Sequence, residues 1–361
     1  MFQRLIKNDL KENKVSMLVI GLFLLLTLTL SSAATRLTVS LTSSIERFVE
    51  TAKSPHLLQM HSGNVDRERL QNFVKQHPEI ASWQLTDFVN VEGTAIRINE
   101  KDSLQDSSQD NGFSSQNQNF DFLLDQNNQP AQPRPGQVYI PLYYYNSGKI
   151  KIGDKIRVGK LKLTVKGFIR DAQMNAGLVS SKRFLISQTD LQILKKEAFS
   201  SNENLIAFRL HKLSQISTIE QAYKNAELEA NGPPMITYPT IKMINGFNDA
   251  LVILVMGLLV VAIIGITFLC MRFALLTKIQ EDLQQIAVMK VMGLPQSFIS
   301  RVYLTKYYFC LALATIAGWG LSFLLSGPFK KQMALSMGQS PTPFYSYLLE
   351  MLVALLLCLL V

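Results

Sequence analysis

The chain has 361 residues, 48% of them hydrophobic and only 17% charged, with a formal net charge of +9. A soluble domain carries about 25% charged residues, and the deficit is concentrated in three uncharged apolar windows at 15–35, 250–271 and 307–329. Each is long enough for a helix across the hydrocarbon core, which takes roughly 20 residues. An ordinary cytosolic enzyme, a collagen-like chain, a disulfide scaffold and a wholly disordered protein are excluded.

In chain order, residues 1–14 carry Arg4, Lys7, Lys11 and Lys14 just ahead of the first window. Short basic flanks stay inside, so this end is read as cytoplasmic. A cleaved signal peptide is the rival, with SSAAT at 31–35 supplying small residues. A signal's apolar region runs only about 7–15 residues, so 15–35 is taken as a retained transmembrane helix. Residues 36–53 then place Leu37, Leu41, Ile45, Phe48 and Ala52 on one helical stripe. It reads either as a surface helix or as a stalk linking domain motion to the membrane.

Residues 36–249 form one extracytoplasmic domain of α+β type. A helix is expected at 66–76, strand-like sequence at 82–98 and a disordered, solvated loop near 101–136, where Ser, Gln, Asn, Asp and Pro dominate. From QVYIPLYYY (137–145) onward order resumes, with Ile150, Ile152, Ile156, Val158, Leu161, Leu163 and Val165 alternating as in half-buried strands. Turns fall at Gly153-Asp154 and Gly159-Lys160; helices are expected at 188–197 and 215–226, and a strand at 204–210. Segment 149–170 carries eight Lys or Arg against the single acid Asp154. It reads as the solvated face of a sheet, with anionic lipid or cell-wall polymer as the alternative contact; no nucleic-acid partner is expected outside the cytoplasm.

Cys270, Cys310 and Cys358 all lie in apolar runs, so the polar domain has no disulfide framework. His56, His61, His77 and His211 lack metal-ligand spacing, and no metal site is expected.

The second window, 250–271, leads into a cytoplasmic loop at 272–306 that carries Arg272, Lys278, Lys290, Arg301 and Lys306 against Glu281 and Asp282. That positive excess agrees with the N-terminal assignment. The third span follows at 307–329, an external loop at 330–343, and a fourth span at 344–361. The fourth is read as truncated, because it stops at CLLV without a basic flank. Tyr345 and Tyr347 would sit at the outer interface, and Glu350 is a lone acid near the outer end of this run.

Within the loop, Leu276, Ile279, Leu283, Ile286 and Met289 form a helical stripe. Gly293 stands where a left-handed glycine would end that helix, Pro295 prevents simple continuation, and Gln296–Arg301 start a new one. The result is a helix–Gly–helix corner with an apolar tip. The run IAVMKVMGLPQSFISRVYLTKYY, with its Met289-Lys290-Val291-Met292-Gly293 corner, resembles the core of FtsX-like, or MacB-type, ABC transporter permeases. The stretch around KIGDKIRVGKLKLTVKGF also resembles their external domains, as does the order of one span, a large external domain and clustered spans. An abrupt C-terminus suits the first half of a ten-span member.

The resemblance implies a helical bundle of four spans bearing a large α+β domain, in a bacterial plasma membrane. Lysine outnumbering arginine 23 to 13 points the same way, to an AT-rich bacterial genome. It implies a cytoplasmic ABC ATPase as partner, a second permease copy or second half of a longer permease, and surrounding lipid. ATP and Mg would be bound by that ATPase. No GxxxxGK[ST] loop exists here, since Gly148-Lys149 and Gly159-Lys160 have Tyr143 and Asp154 where the first glycine belongs. No catalytic residues and no cofactor are therefore expected in this chain, and no enzyme is read from it.

The ATPase would dock on Ile286, Met289, Lys290, Met292, Gly293, Leu294, Pro295, Phe298 and Arg301. The implied task is export or extraction of a lipid-like or peptide substrate, or mechanical signalling. The competing reading is a receptor with an external sensor domain and no ATPase.

Overall fold

The computed structural model describes residues 14–197, 200–293, 295–341 and 343–360. Its helices are α1 (Lys14–Thr51), α2 (Arg67–Gln76), α3 (Leu142–Asn146), α4 (Gln188–Leu194), α5 (Ile216–Asn225), α6 (Tyr238–Glu281), α7 (Leu283–Val291), α8 (Gln296–Met337) and α9 (Phe344–Leu360). Its strands are β1 (Leu57–Ser62), β2 (Ile80–Val91), β3 (Ile96–Ile98), β4 (Asp102–Ser103), β5 (Asp110–Ser114), β6 (Gln137–Pro141), β7 (Lys155–Val158), β8 (Leu161–Ile169), β9 (Ser181–Ile186), β10 (Ser200–Leu210) and β11 (Ile236–Thr237). The chain divides into a helical unit, residues 1–43, 248–332 and 341–361, and a sheet unit, residues 44–247 and 333–340.

In the sheet unit the strands run β11-β1-β10-β2-β5-β9-β6-β8-β7-β3-β4. The β5–β9 and β6–β8 pairs are parallel; the others are antiparallel. Around β1 and β10, Leu57, Ile206 and Phe208 meet Leu70 and Phe73 of α2 and Ile219 and Tyr223 of α5. The α2 helix starts where Asp66 accepts from the Arg69 amide, satisfying one of the amides a helix N-terminus leaves unpaired. Towards β3–β9, Ile96, Val158, Leu163 and Phe184 pack with Tyr144 of α3 and Leu191 of α4. Alternation along β7 and β8 is as the sequence predicts: Ile156, Val158, Leu161, Leu163 and Val165 are buried and the residues between them face outward. Ile150 is buried and Ile152 exposed, but neither lies in a strand.

Segment 101–136 corrects the sequence reading. It is not a disordered loop: β5 pairs with β2 and β9 in mid-sheet, and Phe120, Leu123 and Leu124 are buried. Several of its polar side chains are consumed internally. Gln116 donates to the carbonyls of Leu123 and Ala131, Asn117 donates to Asp121, and Asp121 is paired with Arg183 at 2.9 Å. Arg183 also bonds Asp171, at 2.7 and 2.9 Å. Burial disfavours the charge on Arg183, yet the two carboxylates hold its pKa above the ordinary arginine value. Composition flags a segment as poor in apolar residues; it does not register polar groups that pair with one another.

Among the described residues, three helices are long and apolar enough to cross a membrane: Leu18–Thr51, Tyr238–Glu281 and Tyr308–Met337; Phe344–Leu357 is a shorter apolar helix. Ile20, Leu24 and Leu28 of α1 pack with Met271 of α6, Ala314 of α8 and Leu357 of α9. A Cβ at Gly318 would come within 3.1 Å of Leu28 Cβ and Thr29 N, so glycine permits α8 to approach α1 closely. The hydroxyls of Thr27, Thr29, Thr267 and Thr315 donate to carbonyls four residues back in their own helices. That is how a side chain meets hydrocarbon without an orphaned donor. Leu251, Leu254, Val255, Leu258 and Val261 of α6 are exposed, as a lipid-facing surface requires.

Two further boundaries differ from the sequence reading. The stripe from Leu276 to Met289 is broken at Asp282, where α6 ends and α7 begins. The expected external loop at 330–343 is helical through Met337, because Pro328 is accommodated inside α8 and the following residues favour helix; Gly338, at φ +88°, ends it.

Candidate functional site

The corner between α6 and α8 is built from local signals. The Ile286 amide donates to the Asp282 carbonyl, starting α7. At its end the Met292 amide donates to Val288 and the Gly293 amide to Lys290, and Gly293 takes φ +80°. A Cβ at Gly293 would meet nothing within 4 Å, so the glycine is demanded by backbone conformation rather than by space.

The tip is apolar and open. Val291 is 89% exposed and Met292 65%, with Val288 and Leu283 also exposed. Lys290, Pro295 and Arg301 are exposed, whereas Ile286 and Met289 are half-buried. The structure therefore brings Lys290, Met292, Gly293 and Pro295 to one outward corner and turns Ile286 and Met289 partly inward. Leu294 and the Phe298 side chain lie outside the described residues.

A second constellation, which sequence reasoning missed, lies within the helical unit. Arg36 of α1 donates through Nε to Glu350 Oε1 at 2.9 Å and through Nη2 to Oε2 at 2.5 Å. Trp319 Nε1 of α8 donates to the same carboxylate at 3.1 Å. The Arg36 guanidinium lies 3.5 Å from the ring centroid of Phe323, also on α8. Arg36 and Glu350 are each 1% exposed. Glu350, read from sequence as a lone acid, is thus one end of a bidentate clasp joining three helices. The signal was available: Arg36 and Glu350 are the first charges on the external flanks of their apolar runs.

In the sheet unit, two groups of polar contacts gather helix ends. At the first, the Tyr238 amide donates to the His56 carbonyl, the His56 amide to Phe208, and the Leu210 amide to His56 Nδ1. Burial, with Arg209 nearby, lowers the His56 pKa to about 4. At the second, Arg170 donates to the Leu335 carbonyl at 2.8 Å and Asn175 to that of Ser336 at 2.9 Å. The last turn of α8 is thereby capped by cationic and amide donors, where a helix leaves carbonyls unpaired. Leu335 packs on the β3–β9 core.

Comparison with known proteins adds to this geometry. Residues 241–361 match the family described as FtsX-like permease C-terminal. The C-terminal third of this chain is thus similar to an FtsX-like permease domain. The matched stretch contains most of α6, the corner, α8 and α9.

Among solved structures, the chain is similar to the periplasmic region of MacB from Actinobacillus actinomycetemcomitans, at 10% identity over 55% of this chain and 96% of that one, TM-score 0.30. It is also similar to the extracellular domain of the noncanonic ABC-type transporter YknZ from Gram-positive bacteria, at 12% identity over 50% and 98%, TM-score 0.28. A domain of a putative permease protein from Porphyromonas gingivalis gives 10% identity over 47% and 82%, TM-score 0.27. No curated protein matches the chain. The assignment rests on the FtsX-like match.

Proposed function

We propose that this chain is the membrane-spanning subunit of an ABC transporter, and that a separate cytoplasmic ATPase docks on the corner of its FtsX-like domain. The observation that carries the reading is an FtsX-like domain whose helix–Gly–helix corner presents Val291 and Met292 outward beside Lys290. Side chains this apolar at a helix end need a partner or a lipid surface.

Threading supports a cytoplasmic corner. Residues 333–340, which follow α8, belong to the same unit as residues 44–247, and the corner precedes α8. In this reading α8 is a span and the corner is cytoplasmic, as the positive charge of its loop also favours. Closure of the ATPase would then move the corner, and α1, α6 and α8, which all run into the sheet unit, would carry that motion to the domain. Extraction or export of a lipid-like or peptide substrate, or mechanical signalling, are the tasks such motion serves.

The test is Met292→Asp, an exposed position whose substitution leaves helix packing intact. We expect the variant to insert normally and to lose at least tenfold in ATPase association on detergent co-purification. Undiminished association would place the docking surface elsewhere.

A further inference from the structure

The basic segment 149–170 acquires a geometry in the fold that its composition does not convey. In the sheet, Arg97 of β3 is paired with Arg157 of β7, and Arg157 with Lys162 of β8. Three cations thus stand directly opposite one another across three neighbouring strands. Directly opposed residues have Cβ atoms about 4.5–5.5 Å apart, and like charges so placed are destabilising.

Their strand neighbours Ile96, Ile98, Ile156, Val158, Leu161 and Leu163 are buried, so the row occupies the face turned away from the core. Lys155 and Lys166 extend that face and are exposed. Compensation within the chain is slight. Arg157 reaches Glu100 only at 3.7 Å, and that carboxylate is 68% exposed. Arg97, Lys155, Lys162 and Lys166 have no ion pair among the described residues. Elsewhere in this domain, by contrast, the buried Arg183 is held directly by the carboxylates of Asp121 and Asp171.

We propose that the β3–β7–β8 face is a docking surface for a linear phosphate-bearing polymer. Charge complementarity selects a polyanion, because an uncompensated row of cations gains most from several anions held in series. Shape favours a chain over a bilayer. Neighbouring strands are rotated by roughly 20–25°, so the row follows a twisted line that a flexible polymer can track and a flat lipid surface touches only in part. The surface belongs to the sheet unit and the corner to the helical unit, and the proposal does not depend on the permease reading.

The experiment uses the full chain in phosphatidylcholine nanodiscs, titrated with inorganic polyphosphate at two salt concentrations. We expect saturable binding that Arg97→Gln/Arg157→Gln/Lys162→Gln weakens at least tenfold, with the slope of log affinity against log salt flattened by roughly two to three. The unfolding midpoint of that variant should be unchanged or raised, since repulsion is removed. Lys162→Gln alone gives a partial loss if the triple variant does not fold. As a control, Arg67→Gln/Lys75→Gln/Lys212→Gln removes the same charge from exposed positions off this face and should bind like the parent. Equal weakening in the control, or no binding by the parent, overturns the proposal. Capture by phosphatidylglycerol vesicles without affinity for polyphosphate also overturns it, in favour of lipid.

Discussion

Gly112 shows how much a single position can fix. A Cβ there would fall 1.8 Å from Cζ of Phe88, so the Phe88 ring occupies the space a side chain would need. Gly112→Ala should destabilise the sheet unit by about 1–3 kcal/mol, the range for overpacking a full core, read as a lowered thermal midpoint. His56 carries a different sensitivity. Its folded pKa of about 4 lies below the ordinary 6.5, so the unfolded chain takes up the proton first as pH falls. Stability is fully present above pH 6.5 and declines towards pH 4. Measured against His56→Asn, which keeps an acceptor for Leu210 without titrating, the parent should lose midpoint across that window; parallel pH profiles would contradict this. At Gly293 the φ of +80° makes Gly293→Val unfavourable by about 1–2 kcal/mol locally. In a coupled complex it should uncouple ATP hydrolysis while leaving membrane insertion intact.

Among the elements, the clasp between α1, α8 and α9 gives the sharpest energetic prediction. A buried ion pair is costly to break from one side and often neutral to replace from both. Arg36→Leu or Glu350→Leu alone should therefore destabilise by about 3–5 kcal/mol, whereas the double Leu variant should recover most of the loss. The check is a double-mutant cycle of unfolding midpoints in detergent, with Trp319 emission reporting the lost hydrogen bond; additive losses would contradict the clasp.

The elements also show what was legible in the sequence. Period-two alternation located β7 and β8, and Gly293 located a helix end, because these signals are local. The β5 strand and the Arg183 pairs were hidden, since Asp121, Asp171 and Arg183 meet only through sheet topology. The clasp joins residues 36 and 350, a pairing that apolar periodicity does not encode. At the corner, Gly293 was readable as a cap, but the partial burial of Met289 depends on packing.

For the whole molecule, the proposed threading predicts opposite accessibility for Lys149 and Val291. With Cys270, Cys310 and Cys358 replaced by Ser, Lys149→Cys should react with an impermeant thiol reagent in intact cells, and Val291→Cys only after permeabilisation. The most direct test of the central claim is solubilisation of the full-length chain from its native membrane, followed by identification of what co-purifies. A stoichiometric P-loop ATPase, lost with Met292→Asp, is the predicted result. A chain that purifies without any ATPase under conditions preserving its membrane complexes would contradict the permease account and favour a receptor.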